Sequence, residues 1–179
     1  MRIYAKVMNS AGYCGRLKHG TGYACTGNHE YYAGVDEFLK MAEESNIRVL
    51  LNEHVVIADT IVLAGVNDSS EKRMSGPGDD LEKALAGADL NKPVVLLSHQ
   101  PDVFKQAHKA GVNLQLSGHT HAGQIPPMDL IVQLYFKYTY GLYREGTSYI
   151  YTTCGTGTWG PPMRLFSRSE IVKIVLEKK

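Results

Sequence analysis

The stretch Pro93-Val94-Val95-Leu96-Leu97-Ser98-His99-Gln100-Pro101 decides how this chain folds. Its unbroken aliphatic run has the length of a strand and no polar alternation, the pattern of a strand buried on both faces. Polar Ser98 and His99 then end the run, and Pro101 opens a segment of helical spacing that reaches Ala110 and is closed by Gly111. The same succession of strand, polar loop and helix recurs outward in both directions. Further strands are expected at 48–51, 55–57, 60–66, 112–116, 148–153 and 171–176, with helices at 35–45 and 79–88 and a polar surface loop at 69–78. Such alternation belongs to the α/β and α+β classes and excludes a helix bundle or an all-β sandwich.

A chain of 179 residues suffices for one domain, 1–179, with a core that needs neither disulfide nor metal to hold it. Lys and Arg number 19 against 18 Asp and Glu, a net charge of +1, so no global field attracts nucleic acid and none is expected as a partner. No apolar run approaches the roughly 20 residues of a membrane span. Cys14, Cys25 and Cys154 are an odd number at unpatterned spacing, which fits neither a disulfide framework nor a zinc-thiolate cluster, and residues 1–10 lack a signal-peptide core. A reducing, cytoplasmic setting is expected.

Residues 125–143 stand apart, because twelve large apolar or aromatic side chains share the segment with one lysine and one aspartate. Two readings follow. Either this is a buried helix, apolar nearly all round, or it is an exposed aromatic surface that touches lipid or an apolar substrate, with Tyr hydroxyls at the wet end.

Four of the seven histidines lie where a strand gives way to a Gly-, Asn- or Ser-containing loop: His29, His99, His119 and His121. Side chains at the carboxyl ends of parallel strands converge on one crevice, so these loops can build one site. In an extended segment His119 and His121, two apart, would point the same way and serve one metal or two adjacent ones. His19, His54 and His108 lack this setting and read as solvated.

Gly27-Asn28-His29-Glu30, Ser98-His99 and Gly118-His119-Thr120-His121, in this order and spacing, resemble the third, fourth and fifth motifs of the calcineurin-like metallophosphoesterases. With the Gly-Thr-Trp-Gly-Pro-Pro run inside residues 155–164, the likeness extends over about residues 17–176 and is to the bacterial YkuE/YaeI-like phosphodiesterase branch. The resemblance implies an α+β fold, the four-layer α/β/β/α sandwich, and a metal-dependent phosphodiester hydrolase that uses two-metal hydroxide attack. Asn28, His99 and His119 would bind one divalent ion, His121 the other, the metal being Mn, Zn, Fe or Ni. His29 would act as general acid, with Glu30 fixing its tautomer. A phosphoester, lipid-linked if 125–143 is a surface, would be the substrate, and the protein would then contact the membrane surface through that segment.

The family's opening Asp-x-His and Gly-Asp-x-x-Asp occur nowhere in this chain. The expectation is therefore an N-terminally truncated phosphoesterase with an open sheet edge prone to self-association. Without those carboxylates, a complete two-ion site requires others such as Asp68 or Asp102. The alternative function is an inactive C-terminal fragment, or a non-catalytic metal-binding or interaction module.

Overall fold

The computed structural model describes residues 2–9 and 22–177. Cys14, His19 and the beginning of the resembling region lie outside them. In chain order the elements are β1 (Arg2–Asn9), β2 (Gly22–Ala24), α1 (Asn28–Ala33), α2 (Val35–Glu44), β3 (Ile47–Val49), β4 (Glu53–Ile57), β5 (Ile61–Gly65), α3 (Leu81–Leu85), β6 (Val94–Leu97), α4 (Phe104–Lys109), β7 (Leu114–Ser117), α5 (Met128–Tyr135), β8 (Gly141–Glu145), β9 (Ser148–Thr152) and β10 (Glu170–Glu177).

Six strands form one mixed sheet in the order β4-β5-β6-β7-β9-β8. The four inner strands are mutually parallel, and the edge strands β4 and β8 are added antiparallel by hairpins. The aliphatic run that set the fold is β6, with Val94, Val95 and Leu96 buried at its centre. Side chains of successive residues leave a strand on opposite faces. Val62, Ala64, Val94 and Leu96 accordingly pack against Ala84 of α3 and Ala107 of α4, whereas Leu63, Val95 and Leu114 pack on the other side against Leu50, Ile3, Ile174 and Leu176. That second face is covered by two small sheets, the antiparallel β1–β10 pair and the parallel β2–β3 pair, with α2 against β3. The fold is α+β, with helices, sheet, sheet and helix in succession.

Several local expectations change. The helix expected at 79–88 is confined to Leu81–Leu85, because Asp80 caps its start by accepting from the Lys83 N–H at 2.9 Å and Gly87, with φ of 77°, turns the chain away after its end. The expected surface loop 69–78 holds a 3-10 helix, Ser69–Met74, capped by Asp68. His54 and His108 are not merely solvated: half-buried, they bond Ala84 O and Ser148 Oγ, each at 2.9 Å, and tie helix to strand.

The apolar segment divides. No residue of α5 is buried, and Leu134 and Tyr135 are 85% and 80% exposed, which overturns the buried-helix reading. Only beyond α5 does the segment enter the core, where Tyr138 meets Phe104 edge-on at 5.1 Å. Among the described residues no helix is long and apolar enough to cross a membrane.

Candidate metal centre

Because β5, β6, β7 and β9 are parallel neighbours, their carboxyl ends open onto one rim, where the loops beginning at Val66, Ser98, Gly118 and Thr153 lie side by side. The fifth contributor comes from across the sandwich. After β2, Gly27 brings the start of α1 against the β6 loop, and a Cβ there would lie 3.0 Å from the His99 ring, so the close approach requires glycine. Glu30 fixes this turn by accepting the Gly27 N–H at 2.6 Å.

The consequence is a triangle of donor atoms. Asn28 Oδ1 lies 2.9 Å from His99 Nε2 and 3.2 Å from His119 Nδ1, and the two ring nitrogens are 3.3 Å apart. Donors on one cation at bonds of about 2.1 Å and angles between octahedral and tetrahedral are separated by about 3.0 to 3.4 Å. The spacing therefore fits a divalent ion. Electrostatics favours the same use: burial first, and then the neighbouring His119, push the His99 imidazole down to about 4, and burial lowers His119. Both rings are neutral at physiological pH and carry a lone pair for a metal. The set contains no carboxylate. Among the described residues no three His, Cys, Asp or Glu side chains converge as a metal site, and neither Asp68 nor Asp102 joins the triangle.

His121 stands apart from it. Contrary to the extended His-x-His segment that the spacing predicts, His119 and His121 have φ of 67° and 50°, with Thr120 between them in the right-handed helical region. Each left-handed residue without glycine's freedom costs of order 1 kcal/mol, so the surrounding structure must impose the shape. Thr120 Oγ1 donates to Thr139 O at 2.6 Å, Gly118 N donates to His99 O at 2.9 Å, and Gly123 N donates to Thr120 O at 2.9 Å. The result turns His121 toward Arg164, whose Nη1 donates to His121 O at 3.4 Å and whose Nη2 lies 3.5 Å from His121 Nδ1. Burial, followed by this guanidinium, keeps the His121 imidazole neutral.

A cavity of about 220 Å³ opens over the triangle, lined by Asn28, His29, His99, His119 and His121 on its polar side and by Met128, Val132, Phe136 and Trp159 on its apolar side. Phe136 stands edge-on to His119 at 5.4 Å. His29, exposed in the first turn of α1, faces the cavity with its ring 5.9 Å from Tyr32. Beside it Glu30 Oε2 accepts the Gly27 N–H, which ties this carboxylate to the turn that opens α1. Gln124, 2% exposed, was not anticipated: its amide accepts from Trp159 N and donates to Trp159 O, both at 2.6 Å, which holds the 159–165 segment against the cavity. Asp68 is likewise buried beside the site. The sequence contained a signal for it, since Asn67-Asp68 ends β5 as Ser98-His99 ends β6.

A zebrafish protein named as a transmembrane protein with a metallophosphoesterase domain is 40% identical over 187 residues, covering 97% of this chain and 43% of that protein. A metallophosphoesterase of Helicobacter pylori J99 is 41% identical over 163 residues, covering 90% of this chain and 44% of its own length. The chain belongs to the metallophosphoesterases. YkuE of Bacillus subtilis, a metallophosphoesterase by name, is 41% identical over 87 residues, 46% of this chain and 30% of that protein. No family model and no solved structure matches. This metallophosphoesterase chain spans less than half the length of the zebrafish and Helicobacter relatives. Its relatives lie in vertebrates as well as bacteria, so the family does not carry the bacterial origin that the sequence resemblance implied. The relatives' names point to a metal and a phosphoester, and the donor triangle of this chain is compatible with the first.

Proposed function

We propose that this chain hydrolyses phosphodiesters at the rim of the six-stranded sheet, the carrying observation being the Asn28, His99 and His119 donors grouped beneath a cavity faced by His29. When bound, divalent ions supply neutralisation of the phosphoryl oxygens and an activated attacking water, one ion on Asn28, His99 and His119 and a second served by His121. Mn, Zn, Fe and Ni all suit this nitrogen and oxygen donor set. The protein's own part is to hold two neutral imidazoles and an amide oxygen in register, and to donate a proton to the leaving oxygen from His29. Its setting is cytoplasmic. Apolar Met128, Val132, Phe136 and Trp159 exclude water from one wall.

The wall also supports a lipid-linked substrate taken at a membrane surface. Leu130, Leu134 and Tyr135 of α5 expose apolar area, as do Trp159, which lines the cavity, and Met163, Leu165 and Phe166 of the segment that follows it. Self-association through an open sheet edge belongs to the same reading, since among the described residues β2 pairs with β3 alone.

A second reading has its own support. With no carboxylate in the donor set, one ion per chain and no turnover would make this a non-catalytic metal-binding module. Titration with Zn²⁺ or Mn²⁺, followed by assay on an aryl phosphodiester, separates the two. Hydrolysis requires that His99→Ala abolish metal binding and that His29→Gln slow turnover by about 10² to 10⁴ with metal content unchanged. Lost metal in His29→Gln would move His29 into the donor set. Absence of turnover in a chain that binds one ion favours the module.

A further inference from the structure

Asp68 is 3% exposed, and among the described residues no cation lies within ion-pair distance of it. Its carboxylate accepts from Ser70 N–H at 2.8 Å and from the Gln100 amide at 3.1 Å on one oxygen and 3.0 Å on the other. Its own N–H donates to Thr26 Oγ1 at 3.1 Å. It thus bonds the segment that leads into Asn28 and the residue that follows His99. Gln100 is held in turn, because its carbonyl accepts from Ser98 Oγ at 2.9 Å and Gln115 Nε2 at 3.3 Å. Three N–H contacts offset part of the cost of burying an anion, and among the described residues no cation adjoins it to offset the rest.

Beside it sits the complementary problem. A divalent ion on Asn28, His99 and His119 would receive only neutral donors and leave two charges uncompensated in a half-buried site. We propose that Asp68 is the countercharge of this centre, a positioning residue that never touches the ion but raises its affinity through space and holds the His99 loop through Gln100. The inference rests on the metal-centre reading above. The fields agree with it: against the burial that lowers both imidazoles, Asp68 is the largest influence in the opposite direction on His99 and on His119. An ion held at those rings occupies that same field. The lack of carboxylate in the donor triangle is then compensated from behind it.

The test is a calorimetric Zn²⁺ titration of the full chain with thermal melts of the metal-free protein. Asp68→Asn keeps the shape and an acceptor but removes the charge. It should weaken zinc binding about tenfold or more, since each 1.4 kcal/mol of lost attraction is tenfold in Kd. Its metal-free Tm should stay level or rise, because an unpaired buried anion is gone, whereas loss of a mere strut would lower it. Should that variant fold poorly, Asp68→Asn with Gln100→Glu moves the charge to the other member of the same hydrogen-bonded pair and should bind zinc within about threefold of the parent. Unchanged affinity in Asp68→Asn would overturn the countercharge role while leaving the centre intact, as would a lowered metal-free Tm with unchanged affinity. Failure of the parent chain to bind zinc would overturn both.

Discussion

His99 Nε2 lies 3.3 Å from His119 Nδ1, and the two residues occupy the loops that leave adjacent parallel strands, β6 and β7. Neighbouring parallel strands are about 4.8 Å apart, so their first loop residues can meet without further machinery. Asn28 arrives from the other sheet and completes the group through its Oδ1. Two contributors are therefore set by one sheet's topology and the third by the packing of the sandwich.

Metal-free protein should lose stability in acid with a particular window. The folded His99 resists protonation until about pH 4, while the ordinary imidazole value is 6.5. Above that ordinary value the contribution is fully present. As pH falls the unfolded chain takes up protons that the folded site refuses, and the loss accumulates until His99 protonates in the fold as well. The total for His99 is on the order of 3 kcal/mol, with His119 adding in the same direction. Urea midpoints measured from pH 7.5 to 4 check this, and His99→Gln should flatten the slope.

Glu30 and His29, adjacent in sequence, should separate by variant. Glu30→Gln leaves an acceptor for the Gly27 N–H and should change stability by under about 0.5 kcal/mol, whereas Glu30→Ala should cost about 1 kcal/mol as a lost cap. Turnover in Glu30→Gln should stay close to the parent's while His29→Gln is slow. An equally slow Glu30→Gln of normal stability would assign to Glu30 the task of orienting His29.

Gly123→Ala should damage the centre without touching a donor. The added Cβ would fall 2.2 Å from Asp129 Cα and 2.3 Å from Asp129 N, at a φ of 77°. Backbone must shift in the loop that shapes His119 and His121, so stability should drop by about 3 kcal/mol or more and zinc affinity with it. Gly157→Ala, whose Cβ would meet nothing within 4 Å, serves as the control and should alter neither. Melting and titration of the pair decide the point.

Replacing Leu134 and Tyr135 together by Ser should leave the melting temperature nearly unchanged, because both side chains already face solvent. Co-sedimentation with phospholipid vesicles should fall in the same variant if α5 rests on a bilayer. Equal sedimentation of parent and variant removes the lipid reading of α5, and a large loss of stability would show that the helix is covered in solution.

The amino-acid sequence by itself determined the alternation of strand and helix, the burial of β6, and the four histidines that belong at strand ends. These are local properties, since a period of two or 3.6 residues and the turn chemistry of Gly and Pro operate within one segment. It also identified Asn28, His99 and His119 as a group, through motif order. Only the tertiary structure decided that His121 turns to Arg164, that Glu30 caps its own helix, that Asp68 is buried behind the donors, and that α5 lies on the surface. Each of those outcomes depends on register between strands, on left-handed backbone at His119 and His121, or on which face of an apolar helix finds a neighbour. Such choices are made by groups distant along the chain, so no window of sequence contains them.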